Sequence, residues 1–216
     1  MKVVTANAAK APTRRRTPGR RICQGTPGDL ISPRTLAMSL GLWAIIPVMT
    51  PKASLQPQEM TAFLDDFRQT IEHASSRLLE IPEDQSERPR AEGKWSSKQV
   101  IGHLIDSAAN NHQRFVRAQF TDDLVFSGYE QEDWIRVQNY QQESWRELVQ
   151  LWKSYNQHIV HLMSFVPEET RTKLRSKHNL HEIASDTIRE DEPVTLDFFM
   201  RDYVDHMKKH LEQILG

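Results

Sequence analysis

The chain has 216 residues, 38% hydrophobic and 26% charged, which suits one well-buried domain with an appendage and is short for two. Its formal charge of -1 conceals an uneven distribution: residues 1–50 hold eight Lys or Arg against a single acid, Asp29, leaving 20 basic and 28 acidic residues beyond. An acidic body argues against nonspecific nucleic-acid binding, which depends on clustered cations. The lone cysteine, Cys23, precludes an intrachain disulfide, fits a reducing, cytoplasmic setting, and leaves histidine and carboxylates as the metal ligands available to the body.

Residues 1 to about 35 are rich in Arg, Pro, Gly and Thr without apolar periodicity, the pattern of a disordered segment. Leu36 to Met49 is apolar but shorter than the roughly 20 residues of a membrane helix, and no small-x-small cleavage site follows, so neither a membrane span nor a signal peptide is expected. We therefore read 1–50 as a basic N-terminal extension, explicable by an upstream start codon with Met49 or Met60 as alternatives, and 55–216 as the folded domain.

Met60, Phe63, Leu64, Phe67, Ile71, Ala74 and Leu78 recur at spacings of three and four, predicting a first helix that ends before Pro82. A Pro-rich charged stretch follows. Ser96 or Ser97 then offers an N-cap for a second helix reaching about Gln119, with Trp95 placed to staple its start. Residues 121–133, with Gly128 and several acids, read as a loop. A third helix is predicted from about Gln141 to Phe165, with Trp145, Leu148, Val149, Trp152, Tyr155, Ile159, Leu162 and Met163 along one stripe. The connection from Pro167 to Val194 is long and polar, with a short turn or hairpin conceivable between Leu180 and Ile188. Thr195 caps a last helix bearing Leu196, Phe199, Tyr203, His206, Met207, His210, Leu211 and Ile214. The expected fold is all-α, a four-helix bundle with a long crossover between helices three and four.

His206 and His210, four residues apart on the last helix, share one face at about 5 to 6 Å between Cβ atoms, close enough to reach one metal ion. Two histidines make an incomplete site, and by themselves they are more often buried or half-exposed residues that hydrogen-bond locally. The pair does lie in register with the apolar stripe, where an unpartnered imidazole is costly. On the second helix His103, Ser107, Asn110 and Arg114 step along one polar row, which either faces solvent or lines an internal site. Asp106 and Asp202 lie one turn from these histidines and could brace an imidazole from behind, whereas Asp205 points to solvent. His158 and His161 on the third helix, His178 and His181 in the crossover, and His73 and His112 read as surface or structural residues.

The segment from Trp95 to Phe115 (WSSKQVIGHLIDSAANNHQRF), the segment from Tyr203 to Ile214 (YVDHMKKHLEQI) and GYEQEDW from Gly128 to Trp134 together resemble the DinB/YfiT-like superfamily over about residues 60 to 215. That resemblance implies a four-helix bundle holding one divalent metal ion, zinc or nickel, on His103, His206 and His210, and a homodimer. Three neutral imidazoles would leave the ion charged and a coordination position open, the arrangement of catalytic rather than structural sites. The better-understood branch implies a transferase adding a low-molecular-weight thiol, such as bacillithiol or mycothiol, to an electrophilic small-molecule substrate. A hydrolase using metal-bound hydroxide and a non-catalytic metal or small-ligand binding protein are the alternatives. Asn110 and Arg114 are the expected contacts to a polar or anionic substrate group. The chain departs from YfiT-like sequences at Asp205, where an aromatic residue is frequent.

Overall fold

A computed structural model describes residues 57–216. The basic extension and the apolar run from Leu36 to Met49 lie outside the described residues. Four long helices form the framework: α1 (Pro57–Leu79), α2 (Ser97–Arg117), α3 (Trp145–Ser164) and α4 (Leu196–Leu215). Both α1 and α2 pack on α3, and α4 closes the bundle against α1 and α2. The expected all-α bundle with a long α3–α4 crossover is thus the observed fold. No helix among the described residues is long and apolar enough to cross a membrane.

The core follows the periodicity of each helix. Met60, Leu64, Phe67, Ile71, Ala74 and Leu78 of α1 are buried, facing Leu148, Trp152 and Ile159 of α3 and Phe199, Tyr203 and Met207 of α4 within one apolar cluster. Helix α2 starts at a capping box: the Ser96 hydroxyl accepts from the Gln99 amide at 3.2 Å, and the Gln99 side chain accepts from the Ser96 amide at 2.9 Å. The N-terminus of α3 is capped from a distance, since the Glu83 carboxylate accepts the Trp145 N–H with both oxygens at 3.1 Å. The same carboxylate, with Glu87, neutralises Lys98, which is 2% exposed. Thr195 caps α4 by accepting the Phe198 amide at 3.1 Å.

Two connections differ from expectation. Residues 131–138 form a short helix rather than completing a loop. Its single buried residue, Ile135, gives no apolar stripe, which hid it from the sequence; Asn139, in the left-handed region at φ 53°, ends it. The crossover holds short helices at Glu168–Thr172 and Leu180–Ile183, and its antiparallel pairing joins Arg175 to Val194 rather than forming a hairpin within 180–188. The crossover is tied to the segment after α2: the Leu124 amide donates to the Lys177 carbonyl at 3.0 Å, and the Asn179 side chain both accepts from the Phe126 amide and donates to the Phe126 carbonyl at 2.9 Å. These ties set the crossover over the open side of α2 and α4.

Candidate metal centre

The α2 face near its start is shaped by Gly102. A Cβ there would fall 2.1 Å from Cδ2 of Tyr140, so the ring packs directly against the helix at this position, and its hydroxyl donates to Asp106 Oδ1 at 2.7 Å. This packing leaves the neighbouring His103 directed toward α4. It is 1% exposed, flanked by Trp95 at 5.4 Å between ring centroids. Trp95 therefore covers a histidine, beyond any role as a staple.

His206 and His210 rise from successive turns of α4 to meet it. Ring centroids are 5.3 Å apart for His103 and His206, 4.8 Å for His103 and His210, and 4.6 Å for His206 and His210. One ligating nitrogen from each lies within 4.8 Å of the others, and the Nε2 atoms of His103 and His206 are 3.1 Å apart. Tetrahedral coordination at zinc–nitrogen distances would place such nitrogens about 3.3 Å apart.

The electrostatics suit a cation. Burial and the neighbouring imidazoles push His103 down to about 3. Burial, then His210 and Lys209, push His206 down to about 4. His210 is lowered by burial, opposed by its bond to Gln213. All three imidazoles are neutral at physiological pH and hold lone pairs for an ion. The Nδ1 of His210 faces Oε1 of Gln213 at 3.1 Å; because that oxygen only accepts, the proton sits on Nδ1 and Nε2 is the free ligand atom. Sequence reasoning missed Gln213, although its place three residues after a candidate ligand on the same helix was a usable signal. The residues present therefore fit a divalent metal ion.

Asp202 is fully engaged elsewhere and Asp106 through one oxygen, while Asp106 Oδ2 and His103 Nδ1 are both buried without a hydrogen-bond partner among the described residues. Asp106 Oδ1 accepts from Tyr140 at 2.7 Å and from Gln138 at 2.5 Å, anchoring the 138–140 segment to α2. Asp202 accepts the amides of Ser185 at 3.0 Å and Asp186 at 2.8 Å, pinning the crossover to α4. Neither forms a hydrogen bond with a candidate ligand, and burial raises the pKa of both. The crossover histidine His178 is likewise structural, with Nε2 2.8 Å from the Glu192 carbonyl and Nδ1 accepting the Leu180 amide.

His206 also lines a cavity of about 530 Å³ between α2, α4, the 128–131 segment and the crossover. Ser107, Asn111 and Arg114 form its α2 wall. Arg114 is where the polar row placed it, but Asn110 is not: its amide donates to the Asp106 carbonyl at 2.9 Å within α2, while Asn111 faces the cavity. The cavity lies to one side of the His103 row, an offset that helical periodicity alone does not reveal. Tyr129, within the GYEQEDW segment, joins the lining beside Ser107 and Arg114, and burial pushes its hydroxyl up to about 12.

No curated protein matches the chain. Among solved structures, YfiT from Bacillus subtilis, described as a probable metal-dependent hydrolase with an unusual four-helix bundle topology, is similar, with 17% identity and a TM-score of 0.62 over 76% of this chain and 89% of that one. At that identity the likeness establishes the fold. The family model of the DinB superfamily matches residues 64–214, most of the described residues, and the chain belongs to the DinB superfamily.

Proposed function

We propose that the protein is a metal-dependent enzyme that transfers a low-molecular-weight thiol to an electrophilic small molecule, using a divalent ion such as zinc or nickel on His103, His206 and His210. The observation that carries this reading is the convergence of three neutral, largely buried imidazoles beside a polar cavity. A bound divalent ion supplies a positive centre at which a thiol is held as its thiolate, or a water loses its proton near neutral pH.

The protein's own groups do the rest. Gln213 fixes the His210 tautomer, Trp95 shields His103 from solvent, and the cavity holds an extended molecule against the His206 side of the triad. In the transfer, sulfur forms a bond to the electrophilic carbon, the leaving group departs with its electron pair, and the thiol proton passes to solvent. The description of YfiT as a probable metal-dependent hydrolase favours a second reading in which water is the nucleophile. The thiol reading is preferred on the resemblance of the Trp95–Phe115 and Tyr203–Ile214 segments to the thiol-transferring branch; the carboxylates one turn from the ligands do not decide between the two, since a metal activates a thiol or a water alike without a carboxylate base.

The test is to load the protein with cobalt and add a bacillithiol-like thiol. The visible spectrum should change, proton release should accompany binding, and conjugation to a model electrophile should accelerate over the metal-free protein. An unchanged spectrum with ester or amide hydrolysis would replace this reading by the hydrolase. Neither reaction above the metal-free control would leave a metal- or ligand-binding protein.

A further inference from the structure

Three arginines among the described residues are buried: Arg114, Arg171 and Arg175. Arg171 is ion-paired with the equally buried Asp197, and Arg175 feels the charge of Asp122. Arg114, 6% exposed, has no carboxylate partner among the described residues. Its guanidinium donates to the Ser127 carbonyl at 2.8 Å and, more weakly at 3.4 Å, to Asn111 Oδ1; Tyr129 is its other polar neighbour. Neutral acceptors hold the group in place without compensating its charge, and an uncompensated buried cation is costly unless something else supplies the anion. Arg114 lines the cavity that His206 also lines. From these observations we infer that Arg114 is the anchor for a carboxylate on the substrate or cosubstrate, held at the end of the cavity remote from the histidine triad.

Charge and shape together select the anion. The cavity wall also carries Glu130, Glu182 and Asp202. These acids disfavour a phosphate dianion more strongly than a singly charged carboxylate, and the planar carboxylate matches the fork of the one guanidinium. The span selects the length. Side chains on a helix lean toward its N-terminus, and the Arg114 guanidinium accordingly reaches the side chain of Asn111. That turn lies eight residues beyond His103, roughly 12 Å along the axis. The fitting molecule is therefore an extended organic acid with its reactive group near the histidines and its carboxylate several bonds away.

This inference rests on the thiol reading only for the identity of the reactive group, so its test has two arms. In the first, cobalt-loaded full-length protein is titrated with 8-mercaptooctanoate and with 8-mercaptooctanamide, following the visible spectrum. The acid should bind at least about tenfold more tightly than the amide. Arg114→Gln should abolish that preference and Arg114→Lys should retain part of it, with far-UV circular dichroism confirming that each variant is folded. Equal affinities in the wild type, or a preference that survives Arg114→Gln, would overturn the proposal. If Arg114→Gln does not fold, the wild-type ratio and Arg114→Lys decide. In the second arm the probes lack sulfur: octanoate should raise the melting temperature of metal-free protein where octanamide does not, and no rise would count against the anchor. A thiol that leaves the cobalt spectrum unchanged while octanoate still stabilises would refute the thiol reading and spare Arg114. Octyl phosphate binding more tightly than octanoate would refute the carboxylate.

Discussion

Helix α2 carries two histidines that face opposite ways, and each meets histidines of another helix. His103 and His112 are nine residues apart, half a turn out of phase, so His103 faces α4 and His112 faces α3. His112 lies 5.1 Å from the His158 ring and 3.5 Å from the Tyr155 hydroxyl, with His161 one turn further along α3. The two clusters have similar composition and different chemistry. His158 and His161, three residues apart and exposed, stack with rings only 21° from parallel. His206 and His210, four apart, stand at 76° and converge with a buried third ring. Among the described residues only His103, His206 and His210 form a group of three whose ligand atoms lie within 4.8 Å of one another. Burial and angular convergence, more than the number of histidines, separate a candidate metal centre from a histidine-rich surface.

The largest expected effect that would break this contrast is acid destabilisation. Above an unfolded-state pKa near 6.5, His103 and His206 are neutral whether the chain is folded or not, and contribute no pH dependence. Below it the unfolded chain binds protons that the bundle excludes. Stability of the metal-free protein should therefore fall, by on the order of a few kcal/mol, as pH drops from about 6.5 toward 4 and then 3. Asp106 and Asp202, raised by burial, oppose this trend, so His103→Gln isolates the imidazole. That variant should flatten the acid limb of urea melts; a limb as steep as that of the wild type would erase the distinction.

The next largest effect concerns the backbone behind His103. Gly102→Ala drives a methyl into the Tyr140 ring and should cost about 1–3 kcal/mol or more in urea melts. His112→Ala, at the other cluster, should stay within about 0.5 kcal/mol. Comparable losses would mean that Tyr140 relaxes freely and that the α2 face is less fixed than its packing implies. A smaller effect sharpens the picture: Gln213→Leu frees the His210 tautomer and should weaken metal binding about 10- to 100-fold in competition with a chromogenic chelator, with little change in melting temperature.

The bundle was legible because its four apolar stripes keep helical period and its caps at Ser96 and Thr195 are explicit in the sequence. The histidine pair on α4 was legible from spacing, and His103 from a polar row on α2 together with the family resemblance. The 131–138 helix was not, because it buries only Ile135. The cavity escaped because its walls come from four segments brought together by backbone and amide ties such as Asn179 to Phe126, which leave no periodic trace. That is also why Asn110, in phase with His103, was expected on a wall that Asn111 lines. Asp106 and Asp202 had the right spacing for outer partners of the ligands; long-range acceptor duties occupy both oxygens of Asp202 and Oδ1 of Asp106, leaving only Asp106 Oδ2 without a hydrogen-bond partner among the described residues.

The most direct test of the metal centre is the metal content of untagged protein and three variants, measured by elemental analysis after purification without chelators. The wild type and His158→Ala should each hold about one divalent ion per chain, and His206→Ala and His210→Ala should hold almost none while keeping a helical circular dichroism spectrum. Equal metal content across all four, or loss only in His158→Ala, would contradict a centre built on His103, His206 and His210.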